Sequence, residues 1–297
     1  MKGETQIELR VLNYFLAIAR EENITKAAKA LHLTQPTLSR QMMRLEEELG
    51  VELFVRSNHH ITLTEDGLLL KRRAEELLAL ANRTRQDFLQ KKTELAGEIL
   101  IGSGEFRSTK ELAGLIVAFR EQHPLVTFQI YSGNADNIED HIGRGLLDLG
   151  VIGEPVDVRK YEFLFLTEKE RWGVLVRNDS PLAVKEQIRA EDLLGVSLVA
   201  ASRQLHGDVS GWFGEMYDRM EFAAVGNLLY NEAMLVESGM GAVVCIELNC
   251  VYENLRFIPF APAVETRTAV VWKRDAVFSA ATTAFLEFVS KQLKGSS

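Results

Sequence analysis

No apolar stretch in this chain approaches the roughly 18 residues that a membrane-crossing helix needs. The N-terminus, MKGETQIELRV, has no hydrophobic core of a secretory signal, so a cytoplasmic location is expected. Only two cysteines are present, and neither a zinc-ligand spacing nor a P-loop occurs. Gly102-x-Gly104 lacks the third glycine of a dinucleotide fingerprint. No Ser/His/Asp order and no pair of acids on neighbouring strand ends marks a catalytic centre, so no enzyme, metal or cofactor is expected. Basic charge is also short: 34 Lys+Arg stand against 42 Asp+Glu, a net charge of −8. A uniformly basic nucleic-acid binder is thereby excluded, although a local basic surface is not.

What is present starts at Asn23. The run NITKAAKALHLTQPTLSRQMMRLEEELGVELFVRSNHHITLTEDG reads as two short helices, a turn and a β-turn-β wing, the layout of a winged helix-turn-helix. In the first helix Ile24, Ala27, Ala28 and Leu31 recur at helical spacing, and the alanine pair allows a close crossing. Asn23 or Thr25 can cap its start. Leu33 and Thr34 form the turn, and Pro36 falls in the first turn of the second helix, where its missing N–H costs little. Leu38, Met42, Leu45 and Leu49 share one face of that helix. Pro36, Thr37, Arg40, Met43 and Arg44 lie opposite, flanked by Gln35 and Ser39, and Gly50 ends the helix. Gln and Arg match base edges, whereas Ser and Thr suit phosphates. The expected DNA-facing set is therefore Thr25, Gln35, Pro36, Thr37, Ser39, Arg40 and Arg44. Arg56 joins it from the wing strand Leu53–Arg56, placed for a phosphate or a narrow minor groove. The tip, Ser57-Asn58-His59-His60, reads as solvated rather than as a metal pair, and Ile61–Leu63 is the return strand.

Residues 1–64 carry eight Lys+Arg and eight Asp+Glu, so the module is neutral, and two copies acting together are needed for affinity. The next segment, 64–91, supplies a means of pairing them. It contains no proline, and Thr64 can cap it. Leu70, Ala74, Leu77, Ala81, Thr84 and Phe88 form an a/d seam on a rod about 40 Å long. It is read as a dimerisation helix holding two recognition helices at a fixed spacing. The acidic excess lies beyond it: residues 1–91 hold 14 basic and 13 acidic side chains, the remainder 20 and 29.

After a hinge at Leu95-Ala96-Gly97, strands and helices alternate. A strand at 98–101 runs into Gly102-Ser103-Gly104, a helix carries Leu112 to Phe119, and strands at 126–131 and 147–152 flank a helix ending near Gly145. This βαβαβ order implies a parallel sheet covered on both faces, with ligands at the carboxyl ends of its strands, in the loops from Gly102, Ser132 and Gly153. A second unit starts near Thr167, with strands at 172–176, 197–200, 222–225, 242–246 and 255–260. Asn227 is read as the cap of a helix running to Ser238. Arg267–Trp272 and a helix at 282–293 return to the first unit. Cys245 sits in an apolar run and Cys250 in a loop.

The pattern over 9–67 closely resembles the LysR-type transcriptional regulators, and the order of elements extends that resemblance over nearly the whole chain. It implies a winged helix-turn-helix at 1–63, a linker helix at 64–91 and a periplasmic-binding-protein-like α/β effector domain at 92–297. Lobe I would span about 98–165 and 267–297, and lobe II about 166–266. It further implies sequence-specific binding of double-stranded DNA at a dyad site, control by a small-molecule effector between the lobes, and a homotetramer built from dimers. By the same resemblance the effector positions are Ser103, Glu105, Ser132, Gly133, Ala201, Ser202 and Asn227. Free N–H groups at the helix after Asn227 suit an anion, and Arg107, which follows Phe106, is a candidate to answer an acidic ligand. A peroxide-sensing dithiol is known in the family, but nothing near Cys245 or Cys250 supplies the cationic setting it needs. The alternative reading is an enzyme or solute-binding α/β domain carrying an appended DNA-binding module.

Overall fold

The computed structural model describes residues 7–56, 61–89, 94–201 and 208–295. The chain divides into two units, Met1–Gln90 and Lys91–Ser297. In the first unit, α1 (Leu9–Glu21) buries Val11, Leu12, Phe15 and Ile18, an i, i+1, i+4, i+7 stripe. It ends at Glu22, which takes the left-handed conformation. α2 (Ile24–Ala30) is capped by Asn23, whose side chain accepts from the Lys26 N–H at 3.0 Å; Ala27 and Ala28 are buried. α3 (Gln35–Leu49) buries Leu38, Met42 and Leu45 and carries Pro36 in its first turn. It stops at Gly50, whose positive φ suits a residue without a Cβ. The wing strands β1 (Phe54–Arg56) and β2 (Ile61–Leu63) pair antiparallel, Phe54 opposite Leu63. Phe54 closes the core against Phe15, ring centroids 5.3 Å apart. The wing tip, 57–60, lies outside the described residues.

α4 (Glu65–Leu89) begins where the Thr64 hydroxyl accepts from the Gly67 N–H at 2.9 Å, with Glu65 and Asp66 at the positive end of the helix dipole. The expected seam divides. Ala74 is buried in this unit's core, and Leu70 and Leu78 pack against it. Leu69, Leu77 and Leu80 remain 48%, 47% and 44% exposed. The first turns of α4 thus complete the core of their own unit, which displaces the free apolar stripe around the helix. Gly67 is fixed by the same packing, because a Cβ there would collide with the Leu53 carbonyl oxygen. Gly67→Ala is expected to destabilise this unit by about 1–3 kcal/mol through forced backbone displacement; a thermal melt of the variant matching that of the unaltered chain would contradict the packing.

The second unit opens with β3 (Gly97–Ser103), α5 (Thr109–Gln122), β4 (Val126–Ser132), α6 (Ala135–Gly143) and β5 (Leu149–Gly153). β3 pairs in parallel with both β4 and β5. β6 (Tyr161–Arg177) then runs 17 residues without a break. Beyond it come β7 (Ser197–Ala201), α7 (Asp208–Phe213), β8 (Glu221–Gly226), α8 (Leu229–Glu237), β9 (Ala242–Ile246), β10 (Leu255–Pro259), β11 (Glu265–Lys273) and α9 (Ala280–Gly295). The described strands form one sheet in the order β4-β3-β5-β11-β6-β9-β7-β8, with β10 on β6. The sheet is mixed rather than purely parallel: β11 runs antiparallel to β5 and to β6. Both crossings between lobes are therefore continuous strands, and the lobe limits drawn at 165/166 and 266/267 fall within β6 and β11. The reason is that the sheet never closes at the end of lobe I, and β11 extends the pairing into lobe II. Lobe I packs α5 and α9 over the sheet through Phe119 and Phe285, 5.1 Å apart and edge to face. Lobe II packs around Val174, Leu198, Phe213, Val244 and Phe260.

Candidate functional site

In the first unit the side chains of α3 sort by face. Gln35, Pro36, Thr37, Arg40, Met43 and Arg44 are exposed, Ser39 is half-buried, and the leucine face is sealed. Thr25 is exposed on α2 but does not cap it, since Asn23 does. The Thr34 and Thr37 hydroxyls bond each other at 2.8 Å, which tightens the first turn. The Arg44 Nε bonds Glu48 at 3.0 Å, whereas Arg40 stands in solvent within the exposed set. Glu46, near the end of α3, is half-buried rather than exposed. Its carboxylate turns to the wing and accepts from the N–H groups of Leu53 at 2.9 Å and Phe54 at 3.3 Å, so it fixes the wing on the helix. Arg56 ends β1; its side chain is outside the described residues.

In the second unit a cavity of about 490 Å³ opens at the carboxyl ends of the strands. Its walls include Gly104–Phe106, Gly133–Asp136 and Gly153–Pro155, the three loops expected from the strand order. Of the expected effector residues, Glu105, Gly133, Ala201 and Asn227 line it; Ser202 lies outside the described residues. Ser103 and Ser132 do not line it. Ser103 is buried with its hydroxyl donating to the Gly104 carbonyl at 2.8 Å, and Ser132 is exposed at the end of β4, paired with Ser103. Asn227 is not a cap either: Leu228 holds that position on α8. The α8 terminus is already answered, because the Leu229 N–H donates to the Glu105 carboxylate. An anionic ligand would have to displace a negative charge of the protein's own there, which corrects the expectation of an anion at this helix start.

Arg107 is likewise committed elsewhere. Its guanidinium bonds Glu168 at 3.2 Å and Glu247 at 2.9 Å, and Glu247 also holds Arg171 at 2.7 Å. The buried Glu170 accepts from the backbone N–H groups of Arg107 and Ser108, at 2.9 and 3.1 Å, and so anchors the start of α5. These charges tie the first loop to β6 and to the end of β9, and none of them is among the residues that line the cavity.

Sequence reasoning missed several wall residues: Trp172 and Thr266, whose indole N–H donates to the hydroxyl at 3.0 Å, and Glu154, Glu232 and Cys245. Glu154 is bonded to Arg267, backbone at 2.8 Å and guanidinium at 3.2 Å. Glu232 is only 2% exposed, and its Oε1 has no hydrogen-bond partner among the described residues. Burial first, and the Glu105 charge second, push its carboxyl up from 4.5 to about 7. Burial also holds the Cys245 thiol well above its ordinary range, which makes it a poor nucleophile, while Cys250 is exposed. A signal for Glu232 was present: it falls on the apolar stripe of Leu229, Ala233 and Val236, where a carboxylate is out of place.

Two family models match this chain. Residues 9–68 match the bacterial regulatory helix-turn-helix proteins of the lysR family, and residues 92–294 match the LysR substrate binding domain. The HTH-type transcriptional regulator IlvY of Escherichia coli (strain K12) is 30% identical over 253 residues, 84% of this chain and 84% of that protein. The Hca operon transcriptional activator HcaR of the same organism is 30% identical over 249 residues, 80% of this chain and 81% of that protein. Among solved structures, CbnR, a LysR family transcriptional regulator, superposes with a TM-score of 0.73 at 20% identity, covering 97% of this chain and 99% of that one. The full-length CbnR structure complexed with its target DNA gives 0.73 at 22% identity, over 96% and 99% of the two chains.

Proposed function

This chain belongs to the LysR family of transcriptional regulators, with a DNA-binding helix-turn-helix and an effector-binding domain, and from that premise we propose how its residues divide the work. The exposed flank of α3 enters the major groove, Gln35 and Arg40 reading base edges and Thr37, Ser39, Arg44 and Arg56 meeting phosphates. The observation that carries this is the division of α3 itself: Leu38, Met42 and Leu45 are sealed while Gln35, Thr37 and Arg40 stand in solvent. CbnR, similar in fold, has been solved with its target DNA, which supports the same use of this module.

Two protomers pair through the free apolar stripe of α4 and present two α3 helices to a dyad site, and dimers associate into tetramers in the cytoplasm. A small-molecule effector binds in the cavity of the second unit, against Glu105, Gly133, Ala201 and Asn227. Its binding shifts the protein between two lobe arrangements only to the extent that it binds one better than the other. No other cofactor is required. The test is a titration of DNA from upstream of the protein's own coding region, with Arg40→Ala as the probe. That variant is expected to lose about 1–3 kcal/mol of specific binding and to relax discrimination among site variants. Unchanged discrimination would show that Arg40 reads no base, and binding that ignores the dyad would refute the proposal as a whole.

A further inference from the structure

The cavity walls contain Glu105, Asp136, Glu154 and Glu232, and among the described wall residues there is no Lys, Arg or His. Glu154 has Arg267 as partner. Glu105 is held in place by the Leu229 N–H, and Glu232 stands one helical turn further along α8, on the same side. The Glu232 carboxyl lies over Gly226, where a Cβ would strike Oε1, so glycine at the end of β8 is what lets it settle there. It is almost fully buried, and Oε1 goes unanswered among the described residues. Two rings complete the wall. Phe106 lies against Gly104 and near Gly153, and Trp172 has its ring fixed by the bond to Thr266.

We propose that this cavity takes a small organic cation, a protonated amine, between the carboxylates of Glu232 and Glu105 and against the Phe106 and Trp172 rings. The inference rests on the cavity being the effector site and adds the charge class of its ligand. An ammonium gives Oε1 of Glu232 a donor that none of the described residues supplies and relieves the repulsion between two carboxylates that share one wall. Aromatic faces attract the same charge, and their apolar surface accepts the carbon chain that carries it. A carboxylate ligand would meet the reverse at each of these points. Among the described residues, the titratable groups that interact with Glu232 are Glu105 from the loop after β3 and Cys245 from β9, and neither contributes a positive charge.

The experiment is calorimetric titration of the full chain with n-butylamine and 1,4-diaminobutane, with 1-butanol and succinate as neutral and charge-reversed controls. Saturable amine binding is expected, weakened about tenfold or more by Glu232→Gln, in line with the loss of one partner of a buried charge pair. Binding should tighten from pH 6 to 8 in the unaltered chain, as Glu232 ionises, and become nearly flat over that range in Glu232→Gln. Phe106→Ala should also weaken it. Succinate binding that Phe106→Ala weakens, with both amines silent, would overturn the charge class while leaving the cavity as the ligand site. Amine binding indifferent to both substitutions would place the cation elsewhere, and no saturable binding by any probe would equally overturn the proposal.

Discussion

Replacing Leu77 and Leu80 together by aspartate is expected to leave folded protomers that no longer pair and that bind a two-half-site DNA about 10²–10⁴-fold more weakly. The two side chains are 47% and 44% exposed on the same side of α4, with Leu69 at 48% two turns earlier. Their removal therefore costs the protomer's own core little, since Ala74, with Leu70 and Leu78, carries the helix's packing into that core. Aspartates on that stripe would face aspartates of a second copy, so burial in the pair becomes both a desolvation cost and a repulsion. Neutral DNA-binding modules make the pairing decisive: basic and acidic side chains are equal in number over 1–64, so one module alone has little non-specific attraction to add. Sedimentation would read the oligomer, fluorescence anisotropy the affinity, and circular dichroism the fold. A double variant that sediments as the unaltered chain does would show that α4 is not the pairing element.

The recognition module was legible because its signals are local. Each turn of α3 carries both a buried leucine or methionine and an exposed polar group, and Pro36 and Gly50 mark its ends in the sequence itself. α1 has an equally local stripe at Val11, Leu12, Phe15 and Ile18, but that pattern alone does not announce a DNA reader. The first half of β6 was not legible. Thr167 to Arg171 read as a polar boundary between units, yet the strand continues through them because their charges find partners far along the chain. Lys169 meets Glu265 at 2.9 Å, Arg171 meets Glu247, and Glu170 is buried against the start of α5. Such pairing exists only once β11 and the end of β9 are in place. The a/d seam of α4 shows the converse limit: a heptad pattern identifies an apolar face but not whether it will be used within a unit or between copies.

For the cavity, strand order was enough to name three wall loops, because ligand sites in open α/β sheets form at the carboxyl ends of strands. It was not enough to choose residues within them. Ser103 and Ser132 flank the loops correctly in sequence, yet one hydroxyl is spent on the Gly104 carbonyl and the other is exposed on β4. Trp172 and Thr266 come from the two crossing strands, whose antiparallel pairing could not be read from a βαβ order. The charge of Glu105 was legible, but not its use at the α8 terminus.

Glu232→Gln is expected to abolish a pH dependence of stability that the unaltered chain carries in its second unit. The folded carboxyl keeps its proton up to about pH 7, whereas the unfolded chain releases it near the ordinary 4.5. Between these values the unfolded state binds fewer protons than the folded one, so raising the pH favours unfolding. The stabilising linkage is fully present below 4.5 and is lost as pH rises through about 7. A carboxyl displaced that far accounts for up to about 3 kcal/mol across the window. Glutamine, neutral throughout, removes this dependence. The variant should match the unaltered chain in acid, given comparable packing, and exceed its stability at pH 8, as read by denaturant midpoints of the second transition. Stability curves of the two proteins that stay parallel from pH 4.5 to 8 would show that Glu232 ionises as freely in the fold as out of it. The same linkage connects stability to ligand: a cation that draws the Glu232 carboxyl down to its ordinary range would flatten the pH slope of the unaltered chain and leave Glu232→Gln unmoved.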